Sequence, residues 1–206
     1  MNRRLVSLLV VINARLSSGA LGQGVAVTKS GDSIAYMTYG RGSTALVLVH
    51  GWTNNRTFWE PHIPRLSEGH QVVTLDLASF GESSARRDDW SMQSFALDID
   101  AVLDQIRAEE AIVVGFSMGG AAAIELAALG RDDVVGIVLV DVLQNVEARP
   151  DDKFIESIVN DTRDNWRKPT WVRSQGFSPS TPETLIRRYI SRTPETVPDV
   201  WWDSLR

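Results

Sequence analysis

Between the apolar run Ala111-Ile112-Val113-Val114 and the alanine-rich segment Met118 to Leu129 stands the pentad Gly115-Phe116-Ser117-Met118-Gly119. An apolar strand, a glycine-flanked serine and a helix in immediate succession admit few architectures. The strand has no alternation of apolar and polar side chains, so it must be covered on both faces. A helix that follows at once has to double back across the sheet as a right-handed crossover. Ala45 to Val49, Gln71 to Leu75 and Val134 to Val140 share the same unbroken apolar texture. Helix-like segments separate these runs. Asn55 to Leu66 is one, and Ser91 to Ile106 is another, with Phe95, Ile99, Val102, Leu103 and Ile106 at helical spacing. Upstream, Val25 to Thr28 and Ile34 to Tyr39 read as two strands around a Gly31-Asp32 turn, with ordered structure beginning near Gly24. The expected class is α/β, a mostly parallel doubly wound sheet of about six strands.

Past Asp141 the texture changes. Residues 145–206 hold six of the eight prolines and four of the seven tryptophans, with no strand-like run. Phe154, Ile155, Ile158 and Val159 suggest one short helix, and Leu185, Ile186, Tyr189 and Ile190 another. The expected division is a core over residues 23–144 and a helical lid or cap over 145–206. Residues 1–22 read as a signal peptide: Arg3 and Arg4, the apolar run Leu5 to Ile12, then small residues up to Gly22. The run is too short to span a bilayer as a helix. The expectation from this segment is a periplasmic or secreted protein, with cytoplasmic residence as the alternative.

Composition narrows the chemistry. A net charge of −5 with no basic run argues against nucleic acid as partner and leaves a small-molecule substrate. The absence of cysteine removes disulfides, thiolate nucleophiles and Cys-ligated metals. The three histidines, His50, His62 and His70, have no metal-ligand spacing, so no zinc site is expected. Oligomeric state is not legible.

A serine hydroxyl becomes a useful nucleophile only on a rigid, exposed turn, beside a base and facing donors for the oxyanion it creates. Gly115-x-Ser117-x-Gly119 between strand and helix supplies the turn. His50-Gly51-Trp52, at the end of another strand, supplies a loop that can bend back toward it. The backbone N–H groups of Trp52 and Met118 are the candidate oxyanion hole, the second reinforced by the helix N-terminus. Asp141 ends the last apolar run, on the sheet edge where active-site loops emerge, and is a candidate acid. Aspartate is also a common strand-end residue that hydrogen-bonds its own loop. The lid tryptophans Trp166, Trp171, Trp201 and Trp202 either dock the lid or line an apolar pocket, and docking is the commoner use of such residues.

Taken with Asp76-Leu77-Ala78-Ser79-Phe80-Gly81-Glu82-Ser83 and Val138-Leu139-Val140-Asp141, these motifs make the chain from about Val25 onward resemble the lid-bearing branch of the α/β-hydrolase superfamily. The resemblance implies Ser117 as nucleophile, an acyl-enzyme intermediate, an ester or related apolar substrate and no organic cofactor. It also implies a structural role for Asp76 and Gly81, with Ser79 where the family commonly has glycine. Serine at the elbow argues against dehalogenase or epoxide hydrolase chemistry.

The resemblance breaks at one place: the family's triad runs Ser, acid, His in chain order, and no histidine follows Ser117. Three readings stay open. The chain is a C-terminally incomplete hydrolase whose last two strands, usual acid and histidine are missing, leaving Val134 to Val140 as an apolar sheet edge. Alternatively it is a non-catalytic, vestigial fold member that binds small apolar molecules. In the third reading, His50 serves as a surrogate base.

Overall fold

In the computed structural model, residues 19–106, 108–142, 151–174 and 177–192 are described. Six strands build one sheet: β1 (Ala20–Val27), β2 (Ser33–Tyr39), β3 (Thr44–Val49), β4 (Gln71–Leu75), β5 (Glu110–Phe116) and β6 (Val134–Val140). Their spatial order is β1-β2-β4-β3-β5-β6. β4, β3, β5 and β6 run parallel, whereas β1 and β2 form an antiparallel hairpin joined to β4. The sheet is therefore mixed at one end. The expected hairpin around Gly31-Asp32 is present, and β1 opens at Ala20 with Ala20 opposite Tyr39 and Gly22 opposite Thr38. Order thus begins earlier than Gly24, and residues 20–22 of the expected leader belong to a paired strand. Leu5 to Ile12 lie outside the described residues.

The apolar runs work as their pattern demands. In β3, Ala45, Val47 and Val49 point into one core while Leu46 and Leu48 point into a second on the opposite face. The first core is closed by α2 (Met92–Ile106), through Phe95, Ile99, Val102 and Leu103, and by α3 (Met118–Ala128), through Ala122, Ala123 and Leu126. The second is closed by Trp59 and Ile63. Helices thus cover both faces, and the chain steps from β3 to β4 on one side, then crosses back to β5 on the other. The carboxyl ends of β3 and β5 flank that reversal, the place where such sheets bind ligands.

One expected helix is broken. Asn55 to Leu66 forms a 3₁₀ turn, η1 (Arg56–Trp59), and a separate short α1 (Ile63–Leu66). Pro61 interrupts the segment and Pro64 sits in the first turn of α1, where its missing N–H costs nothing. Asn55 caps η1 by accepting the Thr57 N–H at 2.9 Å. The later part of the chain holds α4 (Asp152–Asn165), α5 (Pro169–Ser174) and α6 (Glu183–Arg192). Asp151 caps α4, accepting the Phe154 N–H at 2.8 Å. The two helices suggested by Phe154–Val159 and Leu185–Ile190 are present, and α5 had no periodic signal. Among the described residues β6 is an edge strand, with Val135, Val138, Leu139 and Val140 exposed.

Beneath the first core lies a charge pair that the sequence pattern did not mark. Arg87 and Asp98 are both buried, and the guanidinium donates to the carboxylate at 2.7 and 3.0 Å. The guanidinium also stacks over Phe95 and Trp90, 4.8 and 5.2 Å from their ring centroids. The Ala78 N–H donates to the same carboxylate at 2.9 Å, tying the loop after β4 to α2. Burial pushes the Asp98 carboxyl up to about 6, and Arg87 pulls against that shift. Removing Asp98 leaves the buried guanidinium with the more distant Asp32 carboxylate, 3.6 Å away, and takes the acceptor from the Ala78 N–H. Asp98→Ala is expected to cost about 3–5 kcal/mol, read as a lowered midpoint in urea unfolding.

Candidate active site

Among the described residues four non-glycine residues adopt positive φ, and each follows the carboxyl end of a parallel strand: Thr53 (63°) after β3, Ser79 (67°) after β4, Ser117 (50°) after β5 and Asp141 (52°) after β6. Left-handed backbone costs roughly 1–2 kcal/mol per L-residue and persists only where its surroundings hold it. Its concentration along one sheet edge marks that edge as the working end of the molecule. At Ser79 the observed φ explains why glycine is common at that point of the motif.

Ser117 sits between β5 and α3 with φ 50° and ψ −119°, half-buried, and its hydroxyl does not cap the helix it opens. Its N–H donates to the Val140 carbonyl at 3.0 Å, so Asp141 begins one residue from the elbow. The two sequence motifs meet here. A Cβ on Gly119 would overlap the carbonyl oxygens of His50 and Val49, and one on Gly51 would lie 2.8 Å from the Phe116 ring. Only glycine lets the β3 loop and the first turn of α3 approach so closely. Trp52 and Met118 follow directly on these contacts. Gly119→Ala is expected to destabilise the fold by about 1–3 kcal/mol in urea unfolding, since the overlap is with backbone and cannot be relieved by a rotamer change.

The histidines are placed elsewhere. His50 is fully buried, its Nδ1 donates to the Gly51 carbonyl at 2.8 Å, and its Nε2 accepts the Leu77 N–H at 3.1 Å. Both ring nitrogens are thus spent joining the β3 and β4 loops, which corrects any reading of His50 as a surrogate base. Burial holds its pKa below the usual 6.5 despite the nearby Asp76 charge. Because the unfolded chain then binds a proton more readily than the folded one, stability falls as pH drops through 6.5. Between pH 7 and 5, wild type should lose unfolding free energy more steeply than His50→Asn. His62 lies between η1 and α1, and His70 immediately precedes β4, at the opposite edge of the sheet.

Asp76, also buried, is structural, as expected. It accepts the Arg56 N–H at 2.6 Å and the Glu82 N–H at 2.9 Å, and pairs with the Arg56 guanidinium. Arg56 continues to Glu82 at 2.8 Å. The loops after β3 and β4 are thereby fastened together beside the elbow.

Beside the elbow, lined by Phe116 and not by Ser117 itself, is a cavity of about 230 Å³. Phe116, Thr53 and Asp141 form its floor side, and Trp166, Trp171 and Tyr189 come from the late helices. Asp141 therefore faces the same space as the strand ends. Trp166 and Trp171 line this cavity, and Trp171 also donates from Nε1 to Asp161 at 2.6 Å. Trp201 and Trp202 lie outside the described residues. Tyr189 was not singled out from sequence. Its hydroxyl bonds to Asn54 and Thr53, linking α6 to the loop that carries Trp52. Nothing in a local pattern separates such a tyrosine from an ordinary helix-face residue. Among the described residues no cluster of side chains is suited to a metal ion.

A glycine-flanked serine at a strained strand-to-helix turn, set at the switch point of a doubly wound sheet, defines a protein of the hydrolase-fold class. The family model for the alpha/beta hydrolase fold matches residues 44–206, and the chain belongs to that family. Among curated proteins, a pimeloyl-[acyl-carrier protein] methyl ester esterase of Aliivibrio salmonicida is 32% identical over 111 residues, 52% of this chain and 39% of the relative. A soluble epoxide hydrolase of a Corynebacterium species is 29% identical over 114 residues, 55% of this chain and 40% of the relative. The chain thus spans about two fifths of the length of these curated relatives. Among solved structures, an esterase from Exiguobacterium antarcticum superposes with a TM-score of 0.75 over 89% of this chain and 72% of its own, at 22% identity, a likeness of fold.

Proposed function

We propose that this protein serves the hydrolysis of a carboxylic ester or related small apolar substrate through an acyl-enzyme on Ser117. The observation that carries the reading is the strained backbone of Ser117, with a hydroxyl that does not cap its helix, at the edge where the other strained non-glycine residues among those described also gather. In this mechanism the Ser117 oxygen attacks the substrate carbonyl and the developing oxyanion receives the N–H groups of Trp52 and Met118. Each such donor is worth about 3 kcal/mol of transition-state stabilisation. Collapse of the tetrahedral species expels the alcohol, and water releases the acid. The wall of Trp166, Trp171 and Tyr189 favours an apolar group beside the carbonyl.

Asp141 is our candidate acid, on the strength of its place beside the elbow and on the cavity wall. With His50 committed, His62 off the strand ends and His70 at the far edge, we propose that the proton acceptor is a group these 206 residues do not include. The same placement favours a second reading, in which the chain binds small apolar molecules without turning them over. A fluorophosphonate probe separates the two. Concentration-dependent labelling of the purified chain that disappears in Ser117→Ala is expected for serine chemistry. Identical absence of labelling in both proteins would leave the binding reading standing.

A further inference from the structure

A second and larger cavity, about 350 Å³, adjoins the one beside the elbow on the side of the exposed residues Pro61, His62, Leu185 and Arg188. The two share Phe58, Phe177 and Tyr189, which stand between them as a common aromatic wall. Phe177 and Tyr189 meet edge to face, 5.5 Å between ring centroids, and Phe58 stacks on Phe116 at 4.7 Å. The outer chamber lies between the η1–α1 segment and α6, and its volume falls in the range of small-molecule sites, about 300–1,000 Å³.

Its polar lining is one-sided in charge. Among the described residues no acidic side chain lines it, while the Arg188 guanidinium from α6 does, together with the His62 ring from the η1–α1 segment. On α6, Glu183 is engaged with Arg173 and Arg187, each at 3.2 Å. Arg188 has no ion pair or side-chain hydrogen bond among the described residues, and the His62 ring meets Trp59 edge-on, 5.9 Å between centroids, without capping α1. The other polar groups are already occupied: Asn54 with Trp52 and Tyr189, Asn55 with Thr57. The unspent hydrogen-bonding capacity of the chamber therefore includes the Arg188 cation, set beside Leu185, Phe58 and Phe177.

We infer that this outer chamber is a binding site for an amphipathic carboxylate, its chain against the aromatic wall and its anionic end on Arg188. The inference is independent of chemistry at Ser117, because it concerns a different cavity and needs no nucleophile. Binding of octanoate and of octanamide, which share a chain and differ in charge, is measured by calorimetry on wild type, Ser117→Ala, Arg188→Gln and Leu185→Trp. A charge-assisted hydrogen bond partly open to solvent makes octanoate bind about tenfold tighter than octanamide in wild type and in Ser117→Ala alike. Arg188→Gln, at an exposed position, should fold normally and bring octanoate down to the octanamide level, and Leu185→Trp should block both by filling the chamber. Equal binding of the two compounds, absence of octanoate binding, or octanoate affinity unchanged in Arg188→Gln would each overturn the assignment. Fluorophosphonate labelling bears on the hydrolase reading alone, so either idea can fail without the other.

Discussion

The close approach of two backbones holds this site together. The first turn of α3 presses on the carbonyls at the end of β3, with no side chain between them at Gly119. That contact fixes the Ser117 turn relative to the His50-Gly51-Trp52 loop, and both hang from neighbouring strands in register. Three further ties keep the loops from drifting. His50 bridges to Leu77, Asp76 to Arg56, and Ser117 to Val140. The strain at Thr53, Ser79, Ser117 and Asp141 is tolerable because each residue is caught in this mesh.

The electrostatics serve the same end. A neutral histidine and two buried carboxylates, Asp76 and Asp98, sit close under the strand ends, each saturated with hydrogen bonds. Buried polar groups are tolerated only when satisfied, and a satisfied network permits one arrangement rather than many. Here the network spans the loops after β3 and β4 and the helix α2. Rigidity of the working edge thus comes from polar groups, whereas the sheet below is held by aliphatic packing.

What was legible in the sequence follows from how local each signal is. The apolar runs of β3 to β6 and the periodic face of α2 are short-range patterns, and they were readable. So was the Ser117 elbow, because strand, glycine, serine and helix are contiguous. The continuous helix expected over Asn55 to Leu66 failed because its apolar spacing masked two prolines that split it. Arg87 drew no reading from the sequence, since nothing in the chain near residue 87 announces a buried partner at residue 98. Phe58, Phe177 and Tyr189 escaped notice for the same reason: they become neighbours only once α6 lies over η1. Ser79 shows the opposite case, where a departure from the expected glycine was visible and its conformational meaning was not.

The wall of Trp166, Trp171, Phe177 and Tyr189 comes from a stretch of chain well separated from the elbow, and Tyr189 is hydrogen-bonded to the loop beside it. Size and polarity of the space beside the elbow can consequently be altered by replacing aromatic residues late in the chain, with the strained turns left as they are. The lining of the cavity and the backbone geometry of the strand ends are therefore separately mutable, and members of one family can differ in the first while sharing the second.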